Sequence, residues 1–145
     1  MNGDAAFWDA VDGLRAQRQR YAREAYGFVV AALGSTVQGL PRSRRDDAAA
    51  RHLSGSELLG GVVRLARQEF GVLAPMVFRE WGVVSGEDVG EIVFELVNCG
   101  QLSARPEDTL EDFRVAGELL GQLAGGPVGG VPPDAAPGER PGSPA

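Results

Sequence analysis

The chain has 145 residues, 43% of them hydrophobic, and its formal net charge at pH 7 is −6, which suits one globular domain. No apolar run approaches the length of a membrane span, and the N-terminus has acids where a signal peptide needs bases. The single cysteine, Cys99, cannot form an internal disulfide, so we expect a cytoplasmic protein that makes no membrane contact.

The charge is unevenly distributed along the chain. Residues 1–53 carry 8 arginines against 6 acids, residues 54–113 carry 4 against 11, and residues 114–145 carry 2 against 3. All 14 basic residues are arginine, and because they are scattered we attribute this to codon usage in a GC-rich genome. A protein that binds the phosphate backbone needs positive charge where it docks, so the acidic middle segment argues against nucleic acid as the partner.

An apolar stripe with helical spacing predicts one or two helices in the N-terminal third. An arginine can lay its stem over apolar surface and keep its head in water, so Arg18, within this stripe, does not have to end a helix. From Gly34 to Ala50, glycines, a proline and mixed charges predict a connecting loop. The stripe consists of Phe7, Val11, Leu14, Arg18, Tyr21, Ala25, Phe28 and Ala32.

A sharply started helix is predicted over residues 55–70. Ser54 is followed three residues later by Glu57, which is the spacing of a capping box. Gly60 and Gly61 lie inside this helix, where each glycine costs roughly 1 kcal/mol relative to alanine. They indicate either the close approach of another backbone or simple tolerance.

Two further helices are predicted over residues 73–81 and 86–98. Gly82 is the expected C-cap of the first, and Ser85 begins the second as its N-cap. The second helix has one apolar face, and its opposite side is acidic. Like charges four residues apart destabilise a helix slightly, so this side favours a basic partner. The acidic face consists of Glu87, Asp88, Glu91 and Glu95.

The C-terminal part of the chain is less regular. Short apolar positions around a Pro-Glu-Asp turn predict a small β-hairpin near residues 101–114, followed by a weak helix from Val115 to Ala124. From Gly125 onward, 12 of 21 residues are glycine or proline, which predicts a disordered tail over 125–145. The folded domain is therefore expected to comprise residues 1–124.

The predicted order of elements is mainly α and imitates a winged helix-turn-helix, with residues 86–98 as the recognition helix. The acids on that helix would be repelled by phosphates. Winged folds also serve as protein-interaction modules, and a fold does not determine a function.

Several spaced motifs resemble a small uncharacterised family described from planctomycete and verrucomicrobial genomes, and the resemblance covers roughly residues 20–113. That family has no assigned activity, cofactor or catalytic residue. The resemblance therefore implies one folded unit and no particular chemistry. Its motifs are Tyr21-x4-Tyr26-x-Phe28-Val29, Arg51-His-Leu-Ser-Gly-Ser-Glu-Leu-Leu59, Phe70-Gly71, Trp81-Gly82-Val83, Asp88-Val-Gly-Glu-Ile-Val-Phe94 and Asp108-x3-Asp112-Phe113.

Catalysis by the sole histidine is the first chemical hypothesis. As a general base, His52 needs an acid, and the nearest in sequence are Glu57, Asp46 and Asp47. Ser54 or Ser56 could serve as nucleophile, but no Gly-x-Ser-x-Gly elbow is present. The favoured interpretation is structural: His52, Ser54 and Glu57 order the turn before a helix.

Metal or cofactor binding has little support. One histidine and one cysteine far apart make no His/Cys ligand set. A carboxylate site for magnesium or calcium from Glu87, Asp88 and Glu91 competes with a solvated acidic face, which we favour. Cys99 lacks an adjacent base, and no glycine loop that could cradle a phosphate is present. We expect no catalytic, cofactor or metal site.

Three functions remain in order of preference. The first is a non-enzymatic module that binds an unknown protein through the acidic face at Glu87, Asp88, Glu91 and Glu95. The second is a nucleic-acid-associated regulator that uses the arginines of segments 15–23 and 42–51. The third is an enzyme centred on His52. The sequence indicates neither the partner nor the oligomeric state.

Overall fold

The computed structural model describes residues 2–46, 53–102, 113 and 118–125, and these residues are mainly helical, as predicted. A 3-10 turn, Gly71–Leu73, lies between the fourth and fifth helices. No strand occurs within the described ranges. The helices are α1 (Asn2–Arg18), α2 (Arg23–Gln38), α3 (Arg42–Arg45), α4 (Gly55–Phe70), α5 (Ala74–Trp81), α6 (Gly86–Asn98) and α7 (Leu119–Leu123).

The predicted helix starts at Ser54 and Ser85 are confirmed. At each position the serine hydroxyl accepts the backbone N–H of the residue three positions later, Glu57 or Asp88. That acidic side chain accepts the serine's own backbone N–H in return, so two otherwise unpaired donors are satisfied at each helix. Gly82 ends α5 in the left-handed conformation, at φ +82°, as expected of a C-cap glycine.

The N-terminal third forms two helices, and the second is longer than predicted. α1 ends at Arg18, and the chain turns through Gln19, a non-glycine residue at φ +43°. The predicted loop from Gly34 to Ala50 is wrong in two stretches, because α2 continues to Gln38 and Arg42–Arg45 forms a helical turn. Residues 47–50 of that prediction lie outside the described ranges. A methyl group at Gly34 would meet no atom within 4 Å, so this glycine costs the helix only its propensity, about 1 kcal/mol.

α2 is the central helix of the fold and packs against α1, α4, α5 and α6. Where α2, α4 and α5 meet, four aromatic rings form a cluster with neighbouring ring centroids 5.3 to 5.7 Å apart. Such rings bury large apolar areas and add edge-to-face attraction. This aromatic cluster therefore joins the three helices. Its members are Phe28, Phe70, Phe78 and Trp81.

The close approach of α2 and α4 explains one of the two helical glycines. A Cβ atom at Gly61 would overlap the hydroxyl oxygen of Thr36 and would lie 3.1 Å from its Cβ atom. Thr36 is fixed there because its hydroxyl donates to the carbonyl of Ala32 at 2.7 Å. Gly61 therefore accommodates a side chain of α2, and the atoms nearest to it belong to Thr36 rather than to another backbone.

Several C-terminal predictions fall on residues that the structure does not describe. Most of the predicted hairpin at 101–114 and all but the first residue of the predicted tail at 125–145 lie outside the described ranges. Phe113 is described, is helical and buried, and its ring lies 6.3 Å from that of Phe94. Of the predicted helix from Val115 to Ala124, the structure describes α7. None of the described helices is both long and apolar enough to cross a membrane.

Candidate interaction surfaces

The acidic face of α6 points largely into the protein rather than into solvent. Asp88 is 5% exposed and Glu95 is 8% exposed, whereas Glu87 and Glu91 are half-buried. The acidic face of α6 lies against the corner between α1 and α2. The expected solvated acidic surface is therefore absent at Asp88 and Glu95.

Arg20 and Tyr21, at the corner between α1 and α2, bind Asp88 and Glu91 together. The Tyr21 hydroxyl lies 2.9 Å from Asp88 Oδ1 and 2.8 Å from Glu91 Oε1. Arg20 contacts the same two oxygens, through Nη2 at 3.3 Å and Nη1 at 2.6 Å. One hydroxyl proton cannot serve two carboxylates fully, so the guanidinium supplies the remaining donors and offsets their mutual repulsion.

Glu95 is bound one turn further along α6. The Tyr26 hydroxyl donates to Glu95 Oε1 at 2.6 Å, and Arg18 Nη1 lies 3.1 Å from Glu95 Oε2. A buried carboxylate that lost both partners would be costly, because its charge would be neither solvated nor paired. The basic partner that the acidic face favours is thus present within the chain.

Two buried tyrosines have strongly perturbed ionisation. Burial, and then hydrogen bonds to Glu91 and Asp88, raise the pKa of Tyr21 above its ordinary value of 10.0. Burial and the hydrogen bond to Glu95 likewise raise the pKa of Tyr26. Both hydroxyls remain protonated near neutral pH, so both act as hydrogen-bond donors to carboxylates.

The proposed turn around His52 is only partly within the described residues. His52 and Asp47 lie outside them. Ser54 and Glu57 form the capping box of α4, and Glu57 also binds Arg44 Nη1 at 2.6 Å. The described part of this region therefore serves to start a helix.

A second surface, which the sequence analysis did not identify, lies where α4 passes into α5. Val72 is 93% exposed, Leu73 is 52% exposed and Met76 is 58% exposed. These three residues, here called the corner patch, lie within five consecutive positions on the 3-10 turn and the first turn of α5. The available signal was a pair of apolar residues directly after Gly71, beyond the end of the apolar stripe of α4.

A groove with a volume of about 380 Å³ adjoins the corner patch, and we call it the corner groove. It contains one cation, Arg67, and no acid. Arg67 is exposed and forms no ion pair with any residue that the structure describes. The groove can therefore receive an apolar group together with a negative charge. Its lining consists of Arg67, Gly71, Val72, Leu123, Ala124 and Gly125.

Metal chemistry has no assembled ligand set within the described ranges, where no group of three His, Cys, Asp or Glu side chains is placed to bind a metal ion. Cys99 is half-buried, and its Sγ atom lies 3.6 Å from the carbonyl of Leu96. No family model, no curated protein and no solved structure matches this chain. The resemblance to the planctomycete and verrucomicrobial family stays a prediction from its motifs.

Proposed function

We propose that this chain is a non-enzymatic protein-interaction module whose contact surface is the corner patch with the corner groove. The observation that carries the proposal is that Val72, Leu73 and Met76, within five consecutive positions, each expose more than half of their surface. Isolated exposed apolar residues are common, but a contiguous group beside a groove is typical of a binding surface. Methionine adds an adaptable side chain that suits such surfaces.

Under this proposal the partner segment carries one or two apolar side chains with a carboxylate nearby. The apolar side chains cover the corner patch, and the carboxylate binds Arg67 in the groove. Arg64, one turn earlier on the same side of α4, is also exposed and extends the positive rim. A guanidinium binds a carboxylate through two hydrogen bonds, which fixes the orientation of the bound segment.

The internal pairing of α6 is why the proposal does not use the acidic face of that helix. Asp88 and Glu95 are buried and bound by tyrosines and arginines, so a partner would have to displace them. The same pairing disfavours the winged-helix interpretation with α6 in a DNA groove. Such a helix would have to expose this face, and its acids would repel phosphates.

A nucleic-acid-associated role has less support for a second reason. The arginines of segment 15–23 are used within the protein: Arg18 and Arg20 bind carboxylates of α6, and Arg23 binds Asp12 at 2.9 Å. In segment 42–51, Arg44 binds Glu57. Counterion release on phosphate binding requires arginines that are not already neutralised in this way.

Selection from a display library of random peptides on the full-length chain tests the proposal. Selected peptides are then measured against the wild type and against the double variant Val72→Asp/Met76→Asp. We expect selected sequences to combine apolar residues with Asp or Glu, and their affinity to fall at least about tenfold, or about 1.4 kcal/mol, on the patch variant.

A matched control places the same two charges on exposed positions of α1, in the variant Ala16→Asp/Gln17→Asp. This control is expected to bind the selected peptides like the wild type. The proposal is refuted if no peptides are enriched on the wild type. Equal binding of enriched peptides to the wild type and to the patch variant also refutes it.

A further inference from the structure

The described part of the chain exposes one large apolar side chain outside the corner patch. Val84 is 47% exposed and lies three residues beyond the end of α5. Its backbone N–H donates to Asp88 Oδ2 at 2.9 Å, and the preceding residue, Val83, is buried, so Val84 is held on a fixed turn. A second copy of this chain therefore presents an ordered apolar side chain that suits the corner patch.

The outer side of α5 carries two opposite charges between the corner patch and Val84. Arg79 and Glu80 are exposed, and neither forms an ion pair with a residue that the structure describes. They follow Met76 by three and four positions, so the three side chains share one side of the helix. Phe78, on the opposite side, is buried in the core. The described residues of this chain therefore leave the outer side of α5 uncovered.

A two-fold axis can match these features between two copies. α5 has eight residues and is about 12 Å long, with the corner patch at its start and Val84 beyond its end. When two copies place their α5 helices antiparallel, each Val84 reaches the corner patch of the other copy. Arg79 and Glu80 then lie near the axis, where each meets the opposite charge of the other copy. Such an interface is closed, because both copies use the same surface.

We propose that a second copy of this chain binds the corner patch and forms a two-fold dimer through antiparallel α5 helices. The inference rests on the proposed function, because it names a partner for the same surface. Charge complementarity selects this occupant, since Arg79 faces Glu80 of the second copy and this pair forms twice. Opposite charges across an interface fix its register and disfavour other arrangements. The carboxylate binds Arg79 instead of Arg67, so the dimer does not use the corner groove.

The interface is small, so the dimer is weak. Two helices of about 12 Å, with a turn at each end, bury less than the roughly 1,200 Å² at which stable interfaces begin. The dimer therefore dissociates readily and releases the corner patch to a peptide that binds more tightly. Self-association thus sets a threshold of affinity for other partners, and this threshold rises with the concentration of the chain.

Reversal of the two charges tests the inference on the full-length chain. Glu80→Arg and Arg79→Glu each place like charges at both contacts of a homodimer, so we expect the dissociation constant of each variant to rise at least about tenfold. An equal mixture of the two variants has opposite charges at both contacts, and we expect the dimer to reappear there as a heterodimer. Sedimentation velocity at increasing chain concentration measures the dimer fraction in each sample.

A third variant and two controls locate the contact. Val84→Ser removes an apolar contact from both halves of the dimer, so its dissociation constant should also rise at least about tenfold. The control variants Asp9→Arg and Arg42→Glu reverse charges on exposed positions of α1 and α3. Each control is expected to form the dimer like the wild type.

The inference is overturned if the wild type stays monomeric up to millimolar concentration, or if the charge-reversed variants form dimers as the wild type does. A mixture that stays monomeric, or a mass that keeps growing beyond that of a dimer, overturns it as well. Val84 lies outside the corner patch, so selected peptides should bind Val84→Ser at least as tightly as the wild type. Peptide binding without a dimer refutes this inference alone, whereas a dimer without peptide binding refutes the proposed function.

Discussion

Gly61 is the position at which a single methyl group tests the contact between α2 and α4. In Gly61→Ala the added Cβ atom overlaps the Thr36 hydroxyl and lies 3.1 Å and 3.4 Å from two carbons of that side chain. Overpacking of this kind costs about 1–3 kcal/mol. Replacing a helical glycine by alanine stabilises the helix by about 1 kcal/mol, so we expect the free energy of unfolding to fall by about 1 kcal/mol in total.

A matched glycine separates the two effects. Gly34 lies in α2, and a methyl group added there would have no atom within 4 Å, so Gly34→Ala gains the helix propensity alone. The two alanine variants are therefore expected to differ by about 2 kcal/mol in free energy of unfolding, the overpacking cost. Urea denaturation followed by circular dichroism measures this difference.

A double-mutant cycle with Thr36→Ala tests whether Thr36 is the source of the overpacking cost. Thr36→Ala removes the hydroxyl and the Cγ2 atom, so Gly61→Ala in that background should cost about 1–2 kcal/mol less than in the wild type. The reasoning is refuted if the alanine variants at positions 61 and 34 have equal stability. Additive effects of the two substitutions in the cycle would also refute it.

Three further predictions concern the α6 contacts and the helix caps. Because the pKa values of Tyr21 and Tyr26 are raised on folding, the unfolded chain alone loses these protons just above pH 10.0. The free energy of unfolding should then fall with rising pH by up to about 1.4 kcal/mol per pH unit for each tyrosine. Urea denaturation of the double Tyr→Phe variant should show a weaker dependence of this free energy on pH. Arg20→Gln should lower the free energy of unfolding by about 1–2 kcal/mol at low salt. The loss should be smaller at high salt, because the Arg20 side chain is 48% exposed and salt screens its charge. Equal losses at low and high salt would contradict an electrostatic role for Arg20. Ser85→Ala should lower the free energy of unfolding, measured by thermal denaturation, by about 1 kcal/mol because it removes the N-cap of α6. Ser35 is exposed within α2, so Ser35→Ala should cause no such loss. Equal losses in the two variants would refute the capping role of Ser85.

Helix boundaries from α4 to α6 could be predicted because the signals are local. Capping boxes, stop glycines and apolar periodicity each act within a few residues, and the predicted ranges 55–70 and 86–98 agree with the structure. Gly34 misled the prediction because an exposed glycine weakens a helix by only about 1 kcal/mol. Buried contacts of the same helix, such as those of Val29 and Ala32, outweigh that loss.

The pairing on α6 could not be predicted in the same way, because its partners are far apart in sequence. Arg20 and Glu91 are 71 residues apart, and nothing local indicates that they meet. Periodicity placed the acids opposite the apolar face, which is correct for one helix alone. It could not show that the corner at Gln19 covers that side and brings Arg18 with it.

The aromatic cluster has a consequence for association thermodynamics. Phe70 immediately precedes the turn that carries Val72 and Leu73, and Phe78 and Trp81 anchor the helix that follows it. These ring contacts hold the backbone on both sides of the corner patch, so under the proposed function little backbone entropy would be lost on binding. Under the proposed function, loosening the cluster should therefore weaken peptide binding, because the corner would have to be ordered during binding.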